Sequence, residues 1–192
     1  MVAAEPSFAG TVRLHPVDSF PLYGAVFTDG SILTNGGAAA VQPDTEEVLL
    51  ATVQQPRSST HCELVALCLA LSLNPSQILT DSLSSLHLIS AWGQWPMARM
   101  LRCPDRVEVR QFLHLVAAST ALPQLEKVTA HDAAALRLRH PKAVGNDMAD
   151  ASARRAASES GPALWLAEGG PFGDPVEMIS ASGARVTEVH HG

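Results

Sequence analysis

Three short apolar segments, separated by turn-forming residues, occupy the first third of the chain. They are "YGAVFTD" at residues 23–29, "GGAAAVQP" at residues 36–43 and "EEVLLATVQQP" at residues 46–56. Gly, Asn, Pro and Asp fill the intervals, and short apolar runs bounded by such residues are typical of β-strands. The pattern predicts three successive antiparallel strands.

The next segment changes to the periodicity of a helix. In "STHCELVALCLALSLNP" the apolar residues recur three or four positions apart until Asn74 and Pro75 end the run. Thr60 and Glu63 have the spacing of a capping box at its start. A strand "SQILTDS", two more helices, a fifth strand "QLEKVTAH" and a final helix beginning in "GNDMADASARRAAS" follow. The predicted order is βββαβααβα, an α/β fold with a mixed sheet flanked by helices.

Composition supports one folded domain between two less regular ends. Of the 192 residues, 46% are apolar and 17% are charged, enough apolar material for a sizeable core. We predict a lead-in or linker over residues 1–21, the domain over residues 22–157, and a poorly ordered tail rich in Gly, Ser and Pro over residues 158–192.

Charge and cysteine content narrow the class of protein further. The net charge of −6 does not indicate a polyanion-binding protein, so contact with nucleic acid would require a local basic patch or bound metal. No apolar run reaches the roughly 18 residues of a membrane span, and the first residues lack the pattern of a signal peptide. The three cysteines have no CxxC spacing, and Cys62 and Cys68, within one apolar helix-like run, are expected to be packed thiols. We expect a soluble, intracellular protein.

Acidic residues stand at the ends of several predicted elements. Asp29 and Asp81 end two strands, Glu63 lies in the first turn of a helix, and Asp147 and Asp150 lie in the last helix. Carboxylates gathered at one end of a sheet repel one another unless a cation lies among them. Oxygen ligands without Cys or His suit hard cations such as Mg²⁺. Two such ions, about 3.5–4 Å apart, can activate a water and stabilise the leaving oxygen of a phosphodiester.

Each acid also has a purely structural interpretation. Asp29 before Gly30 fits a turn, Glu63 fits the capping box, and Asp81 fits a helix N-cap. Asp150 alone is an ordinary acid on a helix face. The metal-site hypothesis therefore depends on the joint order of the four acids rather than on any one of them.

Five motifs in order, "TDGS", "STHCELVAL", "ILTDS", "KVTAH" and "GNDMADASA", resemble the ribonuclease H type 1 family, and most closely the RNase H domain of retroelement and retroviral reverse transcriptases. The resemblance covers residues 22–157. It implies an RNase H-like fold with a five-stranded mixed sheet in the order 3-2-1-4-5. It also implies hydrolysis of the RNA strand of RNA–DNA hybrids with two Mg²⁺ ions, or Mn²⁺, the hybrid being recognised by its shape, backbone and 2′-hydroxyls.

By this resemblance the catalytic, metal-binding acids fall on Asp29, Glu63, Asp81 and Asp150. The family spacing GN-x-x-x-D, counted from Asn146, selects Asp150 rather than Asp147. The candidate contacts to the hybrid are Ser31, Asn35, Thr60, Ser82 and Asn146.

The family also places a histidine on a loop after its fifth strand, where it assists proton transfer or product release. His131 directly follows "KVTA", whereas His140 precedes Asn146 by six residues. Choosing His140 would make "ALRLR" the strand and leave "LEKVTA" without a place in the sheet. A longer loop costs little closure entropy, whereas losing a buried strand is costly. We therefore predict His131 as the catalytic histidine, at the start of an enlarged loop.

Some positions depart from the family pattern. Ser59 and Thr60 stand where cellular members often carry asparagine, and Leu83 replaces a frequent glutamine. The basic protrusion of some members is reduced to Arg99, Arg102 and Arg106, while Trp92 and Trp95 could be core or could flank the hybrid. Weak intrinsic binding follows, so we expect a polymerase domain as a partner that supplies affinity.

Three alternatives remain. The first is a catalytically inactive RNase H-like connector or interaction domain, although such domains usually lose several acids. The second is a resolvase or transposase on the same fold, whose acids occur in another order. The third is a DEDD exonuclease, which needs D-x-E on the first strand, where this chain has Asp29-Gly30-Ser31.

Overall fold

A mixed sheet lies at the centre of the protein. The computed structural model describes residues 5–17 and 22–158, together with the backbone of residues 164–166 and 178–180. The strands of the main sheet are β1 (Val12–Arg13), β2 (Ala25–Ile32), β3 (Gly36–Gln42), β4 (Glu47–Val53), β5 (Gln77–Thr80) and β6 (Gln124–Lys127). Their order is β1-β6-β5-β2-β3-β4. Strands β2, β3 and β4 pair antiparallel, whereas β5 pairs parallel with β2 and β6, and β6 with β1.

The five predicted strands and their order are confirmed, but the strand count was one too low. Strands β2 to β6 have the order 3-2-1-4-5 in the predicted numbering. The sixth strand, β1, comes from the predicted lead-in, where Val12 and Arg13 pair with Leu125 and Glu126. Two residues carry no periodicity that a sequence could reveal. Residues 12 and 13 form a strand only because they pair with the otherwise open edge of β6.

Helices pack on both faces of the sheet. They are α1 (Ser59–Leu71), α2 (Leu83–Ala91), α3 (Met97–Met100), α4 (Arg106–Ala118), α5 (Ala133–Arg137) and α6 (Pro141–Ser158), with a 3₁₀ turn at Trp92–Gln94. Successive residues of a strand point to opposite faces. Val26 accordingly packs with residues of α1, α2 and α4, whereas the neighbouring Phe27 packs with Ala149 of α6.

Several helix boundaries differ from the prediction. Helix α6 begins at Pro141, four residues before the predicted start, and proline is favoured at the first position of a helix because it needs no N–H partner there. The segment between the two helices predicted after "SQILTDS" contains α3, and the predicted enlarged loop contains α5. Both helices are too short to show a hydrophobic period. Segment "ALRLR" is not a strand, as predicted.

The two ends of the chain are only partly described. Most of the predicted tail, residues 158–192, lies outside the described residues, within which the backbone of β7 (Leu164–Leu166) pairs antiparallel with that of β8 (Met178–Ser180). Cys62 and Cys68 are buried free thiols, as predicted, and Cys103 is a third. Among the described residues, no helix combines the length and apolar character needed to cross a bilayer.

Candidate active site

Asp29 lies within strand β2 rather than at its end. On one side β2 continues its antiparallel pairing with β3, and Asp29 stands opposite Ala39. On the other side the parallel pairing with β5 stops at Thr28 and Thr80. The prediction that the strand ends on Asp29 is therefore wrong. At Asp29, β3 continues beside β2 but β5 has already ended. Asp29 therefore lies next to the residues that follow β5.

Gly30 explains how the first helix reaches Asp29. A side chain at Gly30 would collide with the backbone of Cys62 and Glu63 in α1. Because glycine lacks a side chain, α1 lies directly against β2 at this point. The Asp-Gly pair that resembles a turn in the sequence is a point of close contact between helix and strand, and the hairpin turn falls later, at residues 33–35.

Glu63 is not part of a capping box, and that prediction is wrong. Helix α1 begins at Ser59, and the side chain of Ser58 caps it by accepting a hydrogen bond from the His61 N–H at 3.1 Å. Glu63 therefore lies beyond the first turn, with a buried side chain. Its Oε2 atom has no hydrogen-bond partner among the described residues.

Asp81 stands at the junction between β5 and α2. The strand ends at Thr80, whose hydroxyl accepts a hydrogen bond from the Ser82 N–H at 3.1 Å. Ser82, not Asp81, is the N-cap of α2, and its hydroxyl accepts from the Ser85 N–H. The carboxylate of Asp81 is consequently not required to cap the helix.

Asp29, Glu63 and Asp81 form one compact group. Each places a carboxylate oxygen within 4.8 Å of the other two. Asp29 and Glu63 are only 6% and 7% exposed. The three residues offer only oxygen donors, the chemistry that a hard divalent cation requires, and Oε2 of Glu63 has no hydrogen-bond partner among the described residues. The residues present therefore fit such an ion.

Crowding of the acids changes their protonation. Burial, followed by the charges of Asp81 and Asp150, raises the pKa of Asp29 from 3.8 to about 7. Burial, followed by the charges of Asp29 and Asp81, raises the pKa of Glu63 well above its usual value. A hydrogen bond from the Gly30 backbone lowers both pKa values without cancelling the rise. Near neutral pH this group must retain protons or attract a cation.

Asp150 borders this group without belonging to it. Its charge raises the pKa of Asp29, so α6 presents it towards the cluster. Its Oδ1 atom lies 3.0 Å from Nε of Arg154, one helical turn further on. Asp147 is exposed. Asp150, rather than Asp147, is thus the α6 acid whose charge acts on the buried group.

The RNase H family model matches residues 23–158, more than two thirds of the 192-residue chain. The chain belongs to the RNase H family. Among curated proteins, none matches it. Membership of this family implies a nuclease that acts on the RNA of RNA–DNA hybrids, and the family generally uses divalent metals.

The two candidate histidines of this RNase H domain occupy different clefts. His131 is exposed, adopts a left-handed backbone with φ of 47°, and lines a cleft of about 170 Å³ together with Asn146 and Asp147. His140 directly precedes α6, donates its backbone N–H to Ala135 O at 2.9 Å, and lines a neighbouring cleft of about 140 Å³. Both clefts border α6, and that of His131 lies further along the helix, at Asn146 and Asp147.

The five candidate hybrid contacts are not equally accessible. Ser31, Asn35 and Thr60 are partly exposed. Ser82 is 8% exposed, and its hydroxyl is engaged in capping α2 and with Ser85 Oγ at 2.8 Å. Asn146 is 3% exposed, but its Oδ1 atom has no hydrogen-bond partner among the described residues, and it lines the cleft of His131.

Two cations near the acids of this RNase H domain were not predicted. Lys127 lowers the pKa of Glu63, and Arg154 lowers the pKa of Asp29. The i, i+4 spacing of Asp150 and Arg154 could have indicated their ion pair. Lys127 could not have been found from the sequence, because its proximity depends on the pairing of β6 with β5.

An aromatic and basic cleft opens beside the start of α1. Thr60, Trp95, Arg99 and Arg102 line it, and the guanidinium of Arg99 lies 3.9 Å from the centre of the Trp95 ring. Trp92 is completely buried and belongs to the core. Of the two tryptophans, only Trp95 is placed to contact a ligand.

Proposed function

We propose that this chain hydrolyses the RNA strand of RNA–DNA hybrids, with Asp29, Glu63, Asp81 and Asp150 holding two divalent cations. The observation that carries the proposal is the group of three carboxylates within 4.8 Å of one another, two of them buried. Such a group raises the free energy of the folded protein unless protons or cations neutralise it. A merely structural role does not account for this arrangement.

Each residue of the site would have a distinct role in the reaction. When bound, Mg²⁺ or Mn²⁺ lowers the pKa of the attacking water and neutralises charge on the leaving 3′ oxygen. Asp29 and Glu63 are held in fixed positions because Gly30 lets the backbone of β2 pack directly against the backbone of α1. Asp81, after the end of β5, and Asp150, in α6, lie beside these two acids. His131 would assist proton transfer or product release, since an imidazole can accept or donate a proton.

Recognition of the hybrid would rely on its backbone rather than its bases. Ser31, Asn35, Thr60 and Asn146 are the proposed contacts near the acids, whereas the hydroxyl of Ser82 is already engaged by the helix cap. The cleft of Trp95, Arg99 and Arg102 joins the same surface at Thr60. We assign this cleft to a phosphate backbone because it combines two guanidinium groups with an aromatic face.

The reverse-transcriptase context is part of the same proposal. With a net charge of −6, and with Arg99 and Arg102 as the basic side chains of the proposed cleft, intrinsic affinity for a polyanion is expected to be weak. A linked or associated polymerase domain would raise the effective concentration of the hybrid. An inactive connector domain is the alternative function, and the retained group of acids argues against it.

Cleavage of a labelled RNA–DNA hybrid with Mg²⁺ tests the proposal, beside RNA–RNA and DNA–DNA duplexes as controls. We expect cleavage of the RNA strand of the hybrid only, with 5′-phosphate and 3′-hydroxyl ends. Repeating the assay with Mn²⁺ and with a chelator tests the metal requirement. Absence of cleavage with either metal, in a folded protein, would favour the inactive domain.

A further inference from the structure

A second buried carboxylate lies on the face of the sheet that α6 covers, outside the acid cluster. Glu126 of β6 is completely buried. Its Oε1 atom accepts from Nζ of Lys142 in α6, and its Oε2 atom accepts from Nε2 of Gln77 at 2.7 Å and lies 3.5 Å from Nη1 of Arg13. Nζ of Lys142 also donates to Val17 O. We call these five residues the Glu126 network.

The mechanism described above does not use this network. Nor is a buried ion pair by itself a strong source of stability, because desolvation of two charges offsets their attraction. The pair offsets its desolvation only where its partners are well placed, and here hydrogen bonds from Gln77 and to Val17 supply those partners. The network joins β1, β5, β6 and α6 at a single carboxylate.

The position of the pair along the chain connects it to the site. Glu126 lies near the end of β6, and Lys142 is the second residue of α6. Their ion pair therefore joins the two ends of the intervening segment, which contains His131. Asn146 and Asp150 follow Lys142 at intervals of four residues. At about 100° per residue these three positions fall within an arc of about 80° on one face of the helix.

Gly145 gives α6 a second fixed point. A side chain at Gly145 would collide with the ring of Phe27, two residues before Asp29 in β2. Helix and strand are therefore in direct contact here, which sets their separation. The second half of α6 is held separately, because a side chain at Gly37 of β3 would collide with the backbone of Ala153 and Ala157. The bond from Lys142 to Glu126 is what holds the first turn of the helix.

We propose that Glu126 and Lys142 are positioning residues whose ion pair sets where Asp150 and His131 stand relative to Asp29. The roles of Asp150 and His131 rest on the function proposed above. Through Arg13 and the carbonyl of Val17, the segment of residues 5–17, which precedes the family match, completes the network. This segment is then part of the catalytic unit.

The decisive variants are Lys142→Met and Glu126→Gln, compared with Val116→Ala, a core substitution at the far end of α4 chosen to give a similar loss of thermal midpoint. Lys142→Arg, which keeps the charge, is the conservative variant. Each variant is assayed at a temperature well below its thermal midpoint of unfolding. We measure kcat and KM on the hybrid, the Kd for Mn²⁺ without substrate by electron paramagnetic resonance, and hydrogen exchange of the amides of residues 146–150.

We expect Lys142→Met and Glu126→Gln to lower kcat by about tenfold or more with KM within about twofold, since small displacements of catalytic groups have effects of this size. Both should weaken Mn²⁺ binding and speed exchange at residues 146–150, whereas Val116→Ala should do neither and Lys142→Arg should recover most of kcat. If Lys142→Met does not fold, Glu126→Gln alone carries the test, because its amide still accepts from Gln77.

Equal behaviour of the network variants and Val116→Ala would overturn the proposal and leave the pair with a stabilising role only. If the wild-type protein does not cleave the hybrid, the proposed function fails separately. The Mn²⁺ affinity and the exchange of the α6 amides then still decide whether the pair positions the helix.

Discussion

Glu63 and Glu108 are both buried, at 7% and 2% exposure, yet their pKa values move in opposite directions. Burial raises the pKa of Glu63, and the charges of Asp29 and Asp81 raise it further. Burial acts in the same direction on Glu108, but hydrogen bonds from His61 and Arg57 outweigh it, so its pKa is lowered. Burial alone therefore does not distinguish a reactive acid from a structural one.

The partners of each acid make the difference. Glu108 accepts from Nη2 of Arg57 at 2.5 Å and lies 3.3 Å from Nε2 of His61, whereas Oε2 of Glu63 has no partner among the described residues. His61 and Glu63 are two residues apart on α1, about 200° around the helix. One side of the helix start therefore joins α1 to α4, and the other side contributes to the acid cluster.

The largest expected effect is loss of cleavage when an acid of the cluster is neutralised. Asp29→Asn or Asp81→Asn should lower hybrid cleavage by at least about a hundredfold, because each removes a charged ligand from a metal centre. Circular dichroism should show an intact fold. Glu108→Gln, a change at the acid that Arg57 and His61 already neutralise, should retain most of the activity at temperatures below the thermal midpoint of the variant. Full activity in either aspartate variant would contradict the metal site.

The second prediction separates the two acids of α6. Asp150→Asn should reduce cleavage by roughly ten- to a hundredfold, because its charge acts on the buried cluster, while Asp147→Asn should change it by less than about twofold. Both substitutions preserve size, and Asp147 is exposed, so stability should change little in either case. The reverse pattern in initial rates would show that the register counted from Asn146 is wrong.

The histidines provide a smaller contrast of the same kind. His131→Ala should lower cleavage by about tenfold, less than the roughly hundredfold or more of a directly positioned general acid or base, because the histidine only assists proton transfer or product release. His140→Ala should have a weaker effect on the rate, although it can lower stability because His140 borders the start of α6. Single-turnover rates on the hybrid measure this difference. A tenfold loss confined to the His140 variant would transfer the role to that residue.

Stability should respond to the two glutamates with opposite signs. In buffer containing a chelator near neutral pH, Glu63→Gln should raise the thermal midpoint by a few degrees, because burial and the neighbouring carboxylates disfavour the ionised form that the unfolded chain carries. Glu108→Gln should lower stability by about 1–3 kcal/mol, since it weakens hydrogen bonds from two basic groups. Thermal unfolding monitored by circular dichroism tests both. Midpoints that fall in both variants would show that the acid cluster is not strained without metal.

The pH dependence of stability offers the finest test. The folded-state pKa of Asp29, about 7, lies above the ordinary 3.8, so the folded state binds the proton more tightly than the unfolded state. Without metal, wild-type stability relative to Asp29→Asn should therefore fall as pH rises from about 4 to about 7. Thermal midpoints of both proteins measured across this range give the difference. A difference that stays constant with pH would refute the raised pKa.

Local pattern was sufficient for much of the fold and for the identity of the acids. Strands β2 to β6 and the main helices follow from apolar periods and from Gly, Pro and Asn punctuation, which are properties of neighbouring residues. The strand order came from the resemblance of five motifs. The sequence predicts Asp29, Glu63 and Asp81 as one group because each stands beside a recognisable strand or helix and their joint order resembles that of the family, and the structure brings the three together. Their structural roles were predicted less well, since Ser58 and Ser82 provide the caps.

Tertiary structure decided what these residues do to one another. Only the packing of α1 on β2 shows that Gly30 is a contact point rather than a turn, and only the pairing of β1 with the edge of β6 reveals the sixth strand. The Glu126 network draws on residues from four segments far apart in the chain. Spacing along a sequence encodes periodicity, but the distances between segments arise from packing and strand register. Those distances determine whether a buried acid is neutralised by a partner or remains free to bind a cation.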